Sequence, residues 1–229
     1  QESNFNISKL EHKIAGKEFY DYENYFPESR ILNNPALEGW PIHDVFNLKA
    51  SLSALKFILE DKENLQIFDV NNFLDKAIGI IASFEKLPHR FEVLENVNGI
   101  TYVNDSKATN FDATLKSIES SRNLNKQGNI YLICGGDLKE QNLKHKNAVI
   151  FKDIKKCFIY GKDKGSIKES LSQFTNCVSC DDLDSAYSLA KQESQIGDIV
   201  LLSPACSSTD MFEDYQERGL RFKELVKRS

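Results

Sequence analysis

Ile100-Thr101-Tyr102-Val103 is a short apolar run that leads directly into Asn104-Asp105-Ser106-Lys107-Ala108-Thr109-Asn110. After it, residues 111–119 carry apolar side chains at helical spacing. The segment therefore reads as a strand, a polar loop and a helix. Such a loop lies beside the free N–H groups at the helix start, which attract anions. Lys107 adds a point charge, and Ser106 and Thr109 add hydroxyls. Asp105 is placed to balance Lys107 or to hold a metal-bound water. The plainer reading is an ordinary polar loop in which Thr109 or Asn110 caps the helix.

The same alternation continues on both sides. Upstream, residues 91–95, an Asn98-Gly99 turn and the run to Asn104 predict a β-hairpin. Downstream, strands at 130–134, 157–160, 177–179 and 199–202 alternate with helices at 143–152, 164–171, 183–195 (capped by Asp182) and 212–228. Apolar strands separated by helices imply an α/β fold: a mainly parallel sheet with helices on both faces. Before Pro88 the pattern is different. Two helices are expected at 44–59 and 70–84, and strand fragments and loops at 1–36 around Tyr20, Tyr22, Tyr25 and Phe26. A domain boundary is expected near Lys86.

In an open parallel sheet, ligands bind beyond the carboxyl ends of the strands. Three strands here end in loops of small and polar residues. They are 104–110, then Gly135-Gly136-Asp137-Leu138-Lys139, then Ser203-Pro204-Ala205-Cys206-Ser207-Ser208-Thr209-Asp210. Parallel strands would bring all three to one rim. That rim would carry Lys107, Lys139, Ser106, Thr109, Ser208 and Thr209, with Asp105 and Asp137 between them. Two ammonium groups, several hydroxyls and helix N-termini suit a small anionic ligand. No G-x-G-x-x-G, G-x-x-x-x-G-K-[ST] or G-x-S-x-G occurs, so dinucleotide, P-loop and α/β-hydrolase readings lack their fingerprints.

Composition narrows the classes further. The 229 residues are 41% hydrophobic and 28% charged, ordinary for a soluble globular protein. The net charge is −5 and the pI about 5.5, so no general nucleic-acid or anionic-membrane surface is expected. No apolar run approaches the roughly 20 residues of a membrane span. The first residues, Gln1-Glu2-Ser3-Asn4, carry no signal-peptide core. The chain begins at Gln1 and its only Met is Met211, so it is expected to be part of a longer protein. Five cysteines without such a signal predict reduced thiols in the cytoplasm. Cys177-Val178-Ser179-Cys180 is a lone C-x-x-C without the further Cys or His of a zinc set.

Five motifs in this order resemble the Mur ligases. They are Leu87-Pro88-His89-Arg90-Phe91-Glu92, Asn104 to Asn110, Gly135-Gly136-Asp137, Ser203-Pro204-Ala205-Cys206-Ser207-Ser208, and Phe212-Glu213-Asp214-Tyr215-Gln216-Glu217-Arg218-Gly219. The first two have the form seen in the D-glutamate-adding branch. His43-Asp44-Val45-Phe46-Asn47 is a weaker echo, with Asp44 where that family has Asn. The resemblance implies that 1–86 is the incomplete end of a central P-loop-type ATP-binding domain and that 87–229 is a Rossmann-like, D-glutamate-binding domain. The P-loop, the magnesium-binding residues and a modified Lys would lie upstream, and the chain alone would be inactive. The implied reaction is ATP-dependent. The alanyl carboxylate of UDP-N-acetylmuramoyl-L-alanine becomes an acyl phosphate, and the amine of D-glutamate displaces phosphate, in bacterial peptidoglycan precursor synthesis.

Carried over by position, Lys107, Thr109, Lys139, Ser208, Thr209 and Tyr215 would hold D-glutamate. Lys107 would also lie near the transferring phosphate, and Asp137 would position Lys107 or the nucleotide ribose. Asn47, His89, Arg90 and Asp105 would face ATP, with Mg2+ held mainly by upstream residues. Tyr215 stands where many members have Phe, and Thr209 where others are apolar. A cytoplasmic monomer is expected. The rival readings are a folylpolyglutamate-type ligase and a non-catalytic module that binds a small acid. Each residue also has a bland alternative: Arg90 and Glu92 as a surface pair, Asn47 on an exposed helix face, Gly135-Gly136 as a tight turn, Tyr215 packed on the sheet.

Overall fold

In a computed structural model of the chain, the described residues are 37, 40, 42–60, 70–82, 87–94, 96–138 and 148–228. The chain divides into two compact units, Gln1–Glu85 and Lys86–Ser229. The first contains α1 (Ile42–Glu60) and α2 (Val70–Ala82). Val45, Leu48 and Leu52 recur at helical spacing on α1 and are buried together with Leu37 and Ile78 of α2. The expectations for 1–36, and for residues 83 and 84 at the end of α2, lie outside the described residues.

The second unit is built on one six-stranded sheet. Its strands are β1 (Glu92–Val93), β2 (Thr101–Asn104), β3 (Ile130–Gly135), β4 (Ile154–Tyr160), β5 (Cys177–Ser179) and β6 (Ile199–Leu202). The order across the sheet is β1-β2-β6-β3-β4-β5. All neighbours are parallel except the β1–β2 pair. The antiparallel pair is closed by Asn98 (φ 55°) and Gly99 (φ 80°), both in the left-handed region, as a two-residue hairpin turn requires.

Four helices cover the sheet: α3 (Phe111–Leu124), α4 (Lys164–Leu171), α5 (Leu183–Glu193) and α6 (Tyr215–Lys227). Side chains of each strand alternate between the two faces. Leu132, Cys134, Cys157, Ile159 and Leu201 pack with Phe111, Leu115 and Ile118 of α3 and Ile167 and Leu171 of α4. Tyr131, Ile133, Phe158, Tyr160, Val200 and Leu202 pack with Leu183, Ala186 and Ala190 of α5 and Phe222 and Val226 of α6. This is the doubly covered, mainly parallel sheet that the apolar strands predict. Among the described residues no helix is long and apolar enough to cross a membrane.

Several boundaries move for identifiable reasons. α3 continues to Leu124 rather than ending near 119, because Ser117, Ile118, Ser120 and Ser121 extend its buried stripe. Asn110 is its cap, accepting from the Ala113 amide at 2.8 Å. α5 starts at the expected Asp182 capping box. The last helix begins at Tyr215, not 212, because the Asp214 carboxylate caps it by accepting from the amides of Gln216 and Glu217. The short helix expected at 143–152 is a 3₁₀ segment, Ala148–Asp153, and residues 141–147 lie outside the described set.

Candidate active site

β2, β6, β3 and β4 are adjacent and parallel, so their carboxyl ends meet along one edge. The three expected loops converge there, joined by a fourth after β4, Gly161-Lys162-Asp163. Backbone hydrogen bonds tie them together. The Asp105 amide donates to Leu202 O at 2.8 Å, Gly135 N to Pro204 O at 2.9 Å, and Asp163 N to Gly136 O at 3.1 Å. Asp137 and Ser207 exchange a pair of backbone bonds at 3.1 and 2.9 Å. A Cβ at Gly135 or Gly136 would strike the backbone of Tyr160 or Ser207, so the bare backbone is required for this approach. One non-glycine residue of these loops has a left-handed φ, Ala205 (61°), and two more, His89 (64°) and Phe91 (43°), lie in the segment just before β1. Each conformation costs about 1–2 kcal/mol. Such strain persists where surrounding contacts over-determine the backbone, often at functional sites.

Lys107 is half-buried, and its Nζ lies 4.1 Å from the centre of the Tyr215 ring. A cation on an aromatic face keeps its charge available to an incoming anion. Thr109 is half-buried beside it, Ser208 is buried and Thr209 is exposed. The Thr209 and Ser207 hydroxyls lie 3.2 Å apart. Arg90 is exposed. Lys139 lies outside the described residues. Lys107, Thr109, Ser208, Thr209 and Tyr215 are thus brought to one rim, while Asn47 is exposed on α1 of the other unit.

Other expected site residues have different partners. Asp105 was expected to face a nucleotide or to balance Lys107. Instead it is turned inward and is 8% exposed. Its carboxylate accepts from the Phe91 amide at 3.1 Å, from the Ser117 hydroxyl, and from Ser203 Oγ at 3.4 Å. Burial pushes its carboxyl up to about 6, against the opposing pull of those hydrogen bonds. Ser106, expected on the rim, points inward too: its hydroxyl donates to Tyr215 O at 2.7 Å. Asp137 forms an ion pair with Lys162 at 3.0 Å. Glu92 is not Arg90's surface partner; it pairs with Lys223 and accepts from the His89 amide. Burial pushes the Glu92 carboxyl up, but Lys223 and the amide outweigh it and leave it below its ordinary value.

His89 is 6% exposed and packs against Gly219 of α6, where a Cβ would overlap the imidazole. Its Nδ1 faces Asn104 Nδ2 at 2.9 Å. That amide nitrogen also donates to Glu92 and to Gly219 O, so Nδ1 is the acceptor and the ring proton belongs on Nε2. Burial lowers the His89 pKa, which agrees with a neutral ring. Asn104, Gly219 and Arg218 stand in the quoted motifs but were given no role there. Arg218 was legible in one respect. It shares a helical stripe with Phe222 and Val226, and a charge on an apolar stripe signals a buried, hydrogen-bonded group. Cys177 and Cys180 of the C-x-x-C belong to opposite faces of the sheet and do not converge. All five cysteines are buried free thiols. Among the described residues no group of three or more His, Cys, Asp or Glu could hold a metal ion.

A family profile described as Mur ligase, glutamate ligase domain, matches residues 89–206. The chain belongs to the Mur ligase family. It is 39% identical over 163 residues to the UDP-N-acetylmuramoylalanine–D-glutamate ligase of Francisella philomiragia, covering 71% of this chain and 39% of that protein. It is 34% identical over 217 residues to the enzyme of the same name from Hydrogenobaculum, covering 94% and 47%. The chain therefore spans less than half the length of these two relatives. Among solved structures it is similar in fold to the UDP-N-acetylmuramate–alanine ligase of Thermotoga maritima. The TM-score is 0.54 at 17% identity, over 81% of this chain and 38% of that one. A pseudomurein peptide ligase type C from Methanothermus fervidus gives a TM-score of 0.52 at 16% identity, over 82% and 36%.

Proposed function

We propose that this Mur ligase chain carries the amino-acid site of an ATP-dependent, D-glutamate-adding enzyme of bacterial peptidoglycan precursor synthesis, working in the cytoplasm. Lys107 poised on the Tyr215 ring at the meeting point of the strand-end loops is the observation that carries this reading. The names of the 34–39% identical relatives give it its substrate. In the reaction, the γ-phosphoryl group of ATP passes to the alanyl carboxylate of UDP-N-acetylmuramoyl-L-alanine, leaving ADP and an acyl phosphate. The D-glutamate amine then attacks the acyl carbon. The C–N bond forms, the C–O bond to phosphate breaks with its electron pair leaving on phosphate, and the amine loses a proton.

D-glutamate brings two carboxylates, and the site offers the Lys107 ammonium group with the hydroxyls of Thr109, Ser208 and Thr209; Lys139 is assigned to the same ligand. Tyr215 forms a wall and seats Lys107. Lys107 and Arg90 carry the charge that would face the acyl phosphate, where fixed cations stabilise developing negative charge. Asp137 acts by holding Lys162 and, through its backbone, the Ser207 loop. Asp105 acts by fixing the loop below Lys107. Asn47 and His89 are assigned to the nucleotide. Residues 1–86 are assigned to the ATP-binding domain and 87–229 to the D-glutamate domain. Mg2+ would be held mainly by residues outside the described set, and among the described residues no group of three or more His, Cys, Asp or Glu could hold it.

The test is phosphate release by the protein expressed from its complete reading frame. Release should require ATP, UDP-N-acetylmuramoyl-L-alanine and D-glutamate together. Equal release with L-glutamate, or with a folate in place of the UDP substrate, would overturn the reading.

A further inference from the structure

Among the described residues of the second unit, the least exposed charged group is the Arg218 side chain, at 0%. Arginine is always charged, and a buried charge is tolerated only when its donors are satisfied. Here the partners are not carboxylates: among the described residues Arg218 forms no ion pair. Its Nε donates to Ser106 Oγ at 2.9 Å and its Nη2 to Ser106 O at 2.8 Å. Both Nη1 and Nη2 lie 3.2 Å from Cys206 O. Ser106 precedes Lys107 in the first loop, and Cys206 stands two residues before Ser208 in the third. The Ser106 hydroxyl, having accepted from Arg218, donates to Tyr215 O, the residue whose ring lies under Lys107.

One guanidinium therefore fixes three things at once: the backbone that presents Lys107, the backbone that presents Ser208, and the start of the helix that presents Tyr215. We propose that Arg218 is a positioning residue that sets the separation of the 104–110 and 203–210 loops, and through it the fit of the amino-acid substrate. The inference rests on the D-glutamate reading only for its ligand. The planar fork is essential to it, because two carbonyls and a hydroxyl are met by donors spread over three nitrogens. A lysine ammonium offers its donors from a single atom and cannot span both loops.

The test uses the 229-residue chain with Arg218→Lys and Arg218→Gln, and Ser106→Ala as a milder variant that removes the Nε acceptor. Amide shifts and hydrogen exchange are recorded without ligand, and affinities for D- and L-glutamate are then measured. In the Arg218 variants, exchange should quicken at Lys107 and Ala108 and also at Ser207 and Ser208. D-glutamate affinity should fall at least tenfold, and the preference for D over L should shrink. Ser106→Ala should lower D-glutamate affinity about threefold by freeing Lys107 and Tyr215. Changes confined to α6, with affinity and enantiomer preference within twofold of wild type, would overturn the proposal. If the Arg218 variants fail to fold, an unaltered Ser106→Ala protein overturns it alone. Binding of neither enantiomer by the wild-type chain would sink the D-glutamate reading, and the ligand-free maps would still decide whether Arg218 sets the loop separation.

Discussion

Asp105→Asn isolates the energetic cost of the buried carboxylate beneath Lys107. Asp105 has an ordinary value of 3.8 and is pushed up to about 6 by burial, despite hydrogen bonds from Phe91, Ser117 and Ser203. The folded chain therefore takes up this proton before the unfolded chain does. The contribution to stability is complete below about pH 3.8 and is lost as pH rises through about 6. A shift of about two units at about 1.4 kcal/mol per unit makes this about 3 kcal/mol. Asn keeps an acceptor for the Phe91 amide, and its NH2 can donate to the two serine hydroxyls, but it does not titrate. Relative to wild type, Asp105→Asn should therefore gain about 2.5 kcal/mol between pH 4 and pH 7.5. The assay is urea unfolding of both chains at intervals across that range. His89 works in the opposite direction, because burial lowers its pKa and its contribution is lost as pH falls. It is present in both chains and cancels in the difference. A difference that stays flat with pH to within about 0.5 kcal/mol would show that Asp105 is not the buried titrating group described here.

Gly219→Ala places a methyl group in the His89 imidazole, and should cost about 2 kcal/mol or more in thermal or urea unfolding, as overpacking does. Asp182→Ala removes the capping box of α5 and should cost about 1 kcal/mol in the same assay, without affecting ligand affinity. Lys107→Met keeps the length of the side chain but removes its charge. It should weaken D-glutamate binding at least tenfold by calorimetric titration, a loss of about 1.4 kcal/mol or more. Product formation by the 229-residue chain alone should be undetectable by chromatography, because no P-loop sequence occurs in it.

The sheet was legible because its strands are apolar runs broken by Gly, Pro and capping residues, and a parallel sheet buried on both faces needs such runs. Convergence of the three loops followed from that one inference. The placement of Lys107, Thr109, Ser208 and Thr209 on that edge followed from their position in the strand-end loops. Which side chains face inward was not legible. Asp105 and Ser106 flank the same strand end as Lys107 and look equally suited to a ligand, yet the carboxylate of one and the hydroxyl of the other are taken by residues of α3, the 203–210 loop and α6. Asp137 met Lys162 because a fourth loop, after β4, also reaches the rim. That loop contains only three residues and carried no motif. The helical stripe marked Arg218 as a buried charge, but its partners were hidden for the same reason: they lie 112 and 12 residues away.

The most direct measurement is a titration of isotope-labelled chain with D-glutamate and separately with L-glutamate, followed by amide NMR shifts. The account predicts saturable shifts at Lys107, Thr109, Ser208 and Tyr215 with D-glutamate, and much smaller ones with L-glutamate. Equal responses to the two enantiomers, or D-glutamate shifts centred away from the strand-end loops, would contradict it.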